Sequence, residues 1–220
     1  MNWLPPNASS YGAEVDRLFW IIAAITGFFF FLVQGALLLF VLIYRAKPGK
    51  QAQYLHGNTL LEVIWTAIPA VILIWLTFAS QKVWAEIRYP KNMPAAAVNA
   101  QLLAEQFAWN VRYPGPDGLY ETPDDITTIN QLHLPVGMPV RLQIKSKDVI
   151  HSFFVAELRV KQDAVPGMSN TVWIEATRAG EFEIRCAELC GLGHYRMKGF
   201  VKTESPLEFD AWLKETKANE

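Results

Sequence analysis

Hydrophobic and polar positions are distributed unevenly along this chain. No charged residue occurs between Arg17 and Arg45, a stretch that includes the run Phe28-Phe29-Phe30-Phe31. None occurs between Glu62 and Lys82 either. An α-helix rises about 1.5 Å per residue, so the second stretch reaches roughly 30 Å, close to the hydrocarbon thickness of a bilayer. The first is longer than a span needs and is expected to tilt or to run past the lipid. Two buried helices of a soluble protein would keep a polar face for water, and uninterrupted runs of this length have none. The pattern predicts a polar N-terminal segment at 1–17, then a two-helix transmembrane hairpin over 18–90 with spans at about 18–44 and 60–84.

After Lys82 the period changes. Val140, Leu142 and Ile144 alternate with Arg141, Gln143 and Lys145, as in a half-buried strand. Val172, Ile174 and Ala176 form a second inward set. Phe182, Ile184 and Cys186 form a third, opposite Glu181, Glu183 and Arg185. Pro and Gly punctuate the gaps, as in Tyr113-Pro114-Gly115-Pro116-Asp117-Gly118 and Pro166-Gly167. Short strands over 91–204 predict an all-β sandwich or barrel. Ser205-Pro206-Leu207-Glu208 reads as a capping box with Pro at the first helical position, opening a short C-terminal helix in 205–220.

Charge sets the orientation. Arg45, Lys47 and Lys50 lie between the two spans with no acidic residue among them, which marks a cytoplasmic loop. Both termini and the β-region then face the opposite side, the periplasm of a bacterial inner membrane. The first span is too long for the apolar core of a cleaved signal sequence and follows a polar segment, so it is expected to stay. The β-region carries a slight acidic excess. Asp117, Asp124, Asp125, Asp148 and Glu157 could steer a basic protein partner or could simply be a solvated surface. Membrane lipid is an expected partner; nucleic acid is not.

The only two cysteines fall together, in Cys186-Ala187-Glu188-Leu189-Cys190-Gly191-Leu192-Gly193-His194-Tyr195-Arg196-Met197. A disulfide would suit an oxidising compartment, but it leaves His194 and Met197 unexplained. Thiolate, imidazole and thioether together suit copper better than a hard ion. Zinc remains open, although a thioether would add little to a closed zinc site. One more imidazole is needed, and His151, between two strand-like runs, is the candidate. His56, His133, Met93, Met138 and Met168 lack such company and are expected to be structural. A mononuclear blue-copper site needs just one thiolate, and this segment offers two.

The Cys-x-Glu-x-Cys-Gly-x-x-His-x-x-Met run, the upstream Asp148-Val149-Ile150-His151-Ser152-Phe153 and the Pro166-Gly167-Met168 turn resemble subunit II of cytochrome c oxidase, over nearly the whole chain. That resemblance implies a cupredoxin-like Greek-key barrel holding the binuclear copper centre called CuA. Carried over residue by residue, Cys186 and Cys190 bridge both coppers. His151 and Met197 complete one, and His194 and the backbone carbonyl of Glu188 complete the other. It further implies that the Glu188 side chain reaches a magnesium or manganese site at the boundary with the catalytic subunit, which this chain alone could not complete.

Two further positions gain meaning from the resemblance. Glu62 matches a family segment whose Glu marks the mouth of a proton path into the catalytic subunit; the plain alternative is a carboxylate reaching for the interface. Gln106-Phe107-Ala108-Trp109 is similar to the segment that presents an electron-entry aromatic. The chain departs here, with Phe107 followed by Ala108 where many members carry three close aromatics led by Trp. Phe107 is the expected entry contact; Trp109 is the other aromatic on offer and suits the core better. No Cys-x-x-Cys-His motif for a c-type haem occurs in the chain.

The implied function is electron transfer from soluble cytochrome c, or a similar carrier, through CuA to haem in the partner subunit I, where oxygen is reduced to water with proton pumping. Subunit III and others would complete the assembly. A CuA subunit of a membrane nitric oxide reductase and a membrane-anchored copper-delivery protein are the alternatives. A quinol oxidase subunit would keep the fold but lack these ligands.

Overall fold

The computed structural model describes residues 3–51 and 54–219. It divides into a helical unit, residues 14–85, and a β-unit made of residues 1–13 and 86–220.

The helical unit holds the two apolar helices, α1 (Gly12–Ile43) and most of α2 (Thr59–Arg88). Their most apolar windows have mean hydropathies of 2.4 and 2.0 and contain no buried residue. Water would not tolerate such surfaces, and lipid does. At 32 residues, α1 is about 48 Å long and exceeds the hydrocarbon layer. It begins at Gly12, ahead of the span expected from residue 18, because helix and apolar run are different things. Glu14 and Arg17 pair one turn apart at 2.6 Å, so the polar residues before the run are already helical. In α2, Asn58 caps the first turn by accepting from the Leu61 N–H at 3.2 Å. Pro69 sits inside the helix, where it removes one backbone donor.

The β-unit contains ten strands: β1 (Val98–Glu105), β2 (Ala108–Tyr113), β3 (Ile126–Ile129), β4 (Gln131–Pro135), β5 (Val140–Ser146), β6 (His151–Val155), β7 (Val160–Ala164), β8 (Asn170–Ile174), β9 (Gly180–Cys186) and β10 (Lys198–Glu204). They form two five-stranded sheets, ordered β3-β2-β1-β5-β8 and β4-β10-β9-β6-β7. β1 with β5 and β4 with β10 run parallel, and the remaining pairs are antiparallel.

The expected alternation holds. Val140, Leu142, Ile144, Val172, Ile174, Phe182 and Ile184 are buried. Each such side chain contributes about 1.5–3 kcal/mol on burial. The inner faces meet at Trp109 of β2 and Phe153 of β6, whose rings stand edge-on at 6.2 Å. The capping box is formed as well: Ser205 N–H donates to Glu208 Oε2 at 2.9 Å and Glu208 N–H returns to Ser205 Oγ at 3.3 Å. The helix it opens, α3 (Pro206–Asn219), packs Phe209 and Trp212 on Tyr113.

The N-terminal segment is not a loose leader to the first helix. Ala8 and Ser9 are buried, and Ser10 N–H donates to Glu175 O at 3.1 Å while Thr177 N–H donates to Ala8 O at 2.9 Å. Residues 8–10 therefore pair with 175–177, the stretch that follows β8. Few apolar side chains announce this, because the pairing is made by backbone.

Candidate metal centre

Two strand ends and one loop converge. His151 opens β6 and Cys186 closes β9. Cys186 pairs with Phe153 across these strands, and His151, two residues from Phe153, shares its face of β6. The loop 187–197 carries Cys190, His194 and Met197. It is pinned by Ala187 N–H to Ser152 O (3.0 Å), Cys186 N–H to Met197 O (3.3 Å) and His194 N–H to Gly191 O (3.1 Å). Gly191 has φ +131°, which L side chains rarely adopt, and a Cβ there would come within 2.6 Å of Gln106 Nε2. A Cβ on Gly193 would collide with the Phe107 ring.

The donors lie at ligand spacing. The Cys186 and Cys190 sulfurs are 3.8 Å apart, far beyond the roughly 2.05 Å of a disulfide, and both thiols are free. Cys186 Sγ is 3.9 Å from His151 Nδ1 and 3.2 Å from Glu188 O. Cys190 Sγ is 3.6 Å from His194 Nδ1 and 3.7 Å from Met197 Sδ. Ligands at about 2.0–2.3 Å from a tetrahedral metal stand roughly 3.4–3.8 Å from one another. The set fits a soft transition metal. His151, Cys190 and Met197 are buried, while Cys186 is half-buried.

Asp148 orients the first imidazole. Its Oδ1 is 2.8 Å from His151 Nε2, so Nε2 carries the proton and Nδ1 is left as a lone-pair donor facing the sulfurs. Burial raises the Asp148 carboxyl, but hydrogen bonds from His151 and from the Gln106 and Val149 N–H groups outweigh it and hold the group below the usual carboxylate range. Burial, and next the Cys186 thiol, push the Cys190 thiol up to about 11. Thiolate formation at Cys190 therefore requires a cation beside it.

The remaining site residues are distributed as follows. Phe107 is on the surface, 38% exposed, with its ring over Gly191 and Gly193. Trp109 is fully buried 6.3 Å from the His151 ring, and so presents nothing to a donor protein. Glu188 offers its carbonyl to the cluster and its side chain to solvent. Glu62 lies in the first turn of α2, within the helical unit and outside this cluster. Of the acidic residues considered for steering, Asp125 is buried against Arg112 at 3.3 Å and Asp148 is committed to His151. Gln106 is a residue the sequence did not single out: its Nε2 donates to Cys190 O at 2.5 Å and its N–H to Asp148 Oδ2 at 2.7 Å. Only the spacing Asp148-x-x-His151 could have signalled part of this network.

Two family models match the chain: the transmembrane domain of cytochrome c oxidase subunit II over residues 1–83 and its periplasmic domain over residues 120–204. The alternative cytochrome c oxidase subunit 2 of Bradyrhizobium diazoefficiens is 34% identical over 241 residues, covering 98% of this chain and 84% of that protein. The cytochrome c oxidase subunit 2 of Thermostichus vulcanus is 33% identical over 258 residues, covering 98% of this chain and 79% of that protein. Among solved structures, the periplasmic domain of subunit II of cytochrome oxidase of Bradyrhizobium japonicum aligns with a TM-score of 0.52 at 27% identity, over 58% of this chain and 98% of that one.

Proposed function

From the premise that this chain belongs to the cytochrome c oxidase subunit II family, we propose that it takes electrons from a soluble cytochrome c-like protein and hands them to haem in a subunit I partner that reduces oxygen to water and pumps protons. The carrying observation is a pair of free thiols 3.8 Å apart, with an imidazole against each and a thioether on one. When bound there, two coppers supply a one-electron site whose charge is shared over both metals. Cys186 and Cys190 would bridge them; His151 with Met197 would complete one, and His194 with the Glu188 carbonyl the other.

The chain's own residues hold this site still. Asp148 fixes the His151 tautomer, and the short loop bonds keep the donors at contact before and after an electron arrives. Burial of Cys190 and Met197 keeps water off the sulfurs. Phe107 is the proposed electron entry, since it is exposed outward and packs inward on the ligand loop. The basic linker Arg45, Lys47, Lys50 supports a cytoplasmic loop, with the β-unit and both termini on the periplasmic side as part of the same proposal. The exposed Glu188 carboxylate is free to reach a magnesium or manganese ion at the subunit boundary. Glu62 is proposed to feed a proton path; if Glu62→Ala leaves oxygen turnover and its pH dependence unchanged, that role is withdrawn.

Electron paramagnetic resonance of the copper-loaded full chain tests the central reading. The expected hyperfine pattern is that of one electron shared equally by two copper nuclei. A single-copper pattern, or a chain whose thiols are joined to each other, overturns it.

A further inference from the structure

A polar cavity lies away from the thiols, within the β-unit. It is a cleft of about 460 Å³ whose walls include Arg88, Arg141, Met93, Ser169, Asn170 and Thr171. No carboxylate among the described residues lines it. Arg141 projects from the outer face of β5, directly across from Trp173 of the edge strand β8. The Trp173 indole donates to Ile87 O at 3.0 Å, which brings the end of α2 alongside. Arg88, the last residue of that helix, donates to Gln162 Oε1 at 2.7 Å and to Lys161 O at 2.6 Å. Both acceptors are neutral, so its charge is positioned but not cancelled. Arg141 has no ion-pair partner among the described residues.

Two uncompensated guanidiniums on one cleft, flanked by hydroxyl and amide groups, match a phosphate, whose oxygens accept paired N–H donors. The last carbonyls of α2 oppose an anion with roughly half a charge. Two full charges exceed that, and Trp173 already occupies the Ile87 carbonyl. The level along the chain is also informative. Arg88 follows the charge-free run, which ends at Gln81, by about two turns, in a segment bearing Lys82, Trp84, Tyr89 and Lys91. Trp84 and Tyr89 are exposed, the aromatic belt of a lipid–water boundary. Phosphate at that depth belongs to lipid headgroups.

We propose that this cleft binds the phosphodiester of an anionic phospholipid, with Arg88 and Arg141 as its charged ligands and Met93 against the glycerol. Inorganic phosphate shares the chemistry but would gain nothing from the neighbouring bilayer.

The test is native mass spectrometry of the delipidated full chain in detergent, titrated with phosphatidylglycerol, phosphatidylcholine or inorganic phosphate. The expected result is one tightly held phosphatidylglycerol with no counterpart for phosphatidylcholine. Arg141→Gln should weaken it roughly tenfold or more, as loss of one charge-assisted contact does. Arg88→Gln should do the same, but it also removes packing bonds, so Arg141→Gln is the deciding variant. Unchanged phosphatidylglycerol binding in Arg141→Gln, equal retention of phosphatidylcholine, or displacement of the lipid by millimolar inorganic phosphate would each overturn the assignment. Copper loading and its spectrum should not change in either variant, which separates this site from the metal centre.

Discussion

Two regions of the same β-unit each bury a histidine, and the pair differ in what surrounds them. His151 at the loop end has a carboxylate, Asp148, 2.8 Å from one ring nitrogen and Trp109 nearby. His133 of β4 has a carboxylate, Glu204, 2.8 Å from Nδ1 and Trp212 stacked on it at 3.8 Å. The tryptophans make the first difference: Trp212 covers the face of His133, while Trp109 meets His151 at 64° and leaves its Nδ1 edge open. The second difference is company. Nδ1 of His151 faces sulfur, whereas Nδ1 of His133 is spent on Glu204, which Lys202 also contacts at 2.9 Å. A buried, carboxylate-bound histidine is thus not in itself a metal ligand. What would make it one is a free nitrogen edge aimed at other donors, as at His151.

The largest test of that difference is Cys186→Ser. It should abolish the two-copper signal entirely while leaving the thermal unfolding of the β-unit nearly unchanged, since the residue is half-buried at a strand end. A variant that keeps the two-copper spectrum would mean the thiols do not bridge.

Asp148→Asn should come next. It weakens the hydrogen bond that orients His151, and loss of such a partner lowers metal affinity by about 10–100-fold. Competition with a copper chelator would measure it. Glu204→Gln, the matching change beside His133, should leave copper affinity alone.

His133→Ala should invert the pattern. Removing the ring leaves Glu204 short of a partner and Trp212 without its stack, a loss of about 2 kcal/mol, visible as a lower melting temperature with full copper content retained.

The effects of pH separate the two regions as well, each responding for a different reason. Burial holds the His133 pKa below its ordinary 6.5, with Glu204 opposing the shift. Below pH 6.5 the unfolded chain takes up a proton that the folded chain refuses, so stability should fall on acidification and His133→Phe should flatten the fall. At the metal centre the Cys190 thiol sits up at about 11. Metal uptake must displace its proton and should weaken about tenfold per unit of falling pH for each proton released. A pH-independent copper affinity would contradict the buried thiol.

Much of this was legible in the residues themselves, each for a local reason. The two spans follow from charge-free runs of bilayer length, which few other environments accept. Strand faces follow from alternation, and β5 reads correctly position by position. The capping box needs only neighbours in sequence, and it formed. Four of the five side chains proposed as copper ligands could be picked out together because they fall within one short segment, Cys186 to Met197.

What depends on distant segments meeting was not readable. The sequence alone could not say that Asp148 serves His151 while Asp125 is spent on Arg112, since both are acidic residues in turns. Nor could it show Gln106 clipped to the Cys190 carbonyl, residues 8–10 paired with 175–177 from the far end of the chain, or Arg141 set beside Arg88. The physical reason is one of range. Hydropathy and capping act between residues a few positions apart and so leave a trace in the string. Hydrogen-bond partners and the choice of which nitrogen stays free are decided only when folding closes long loops and brings specific atoms within about 3 Å.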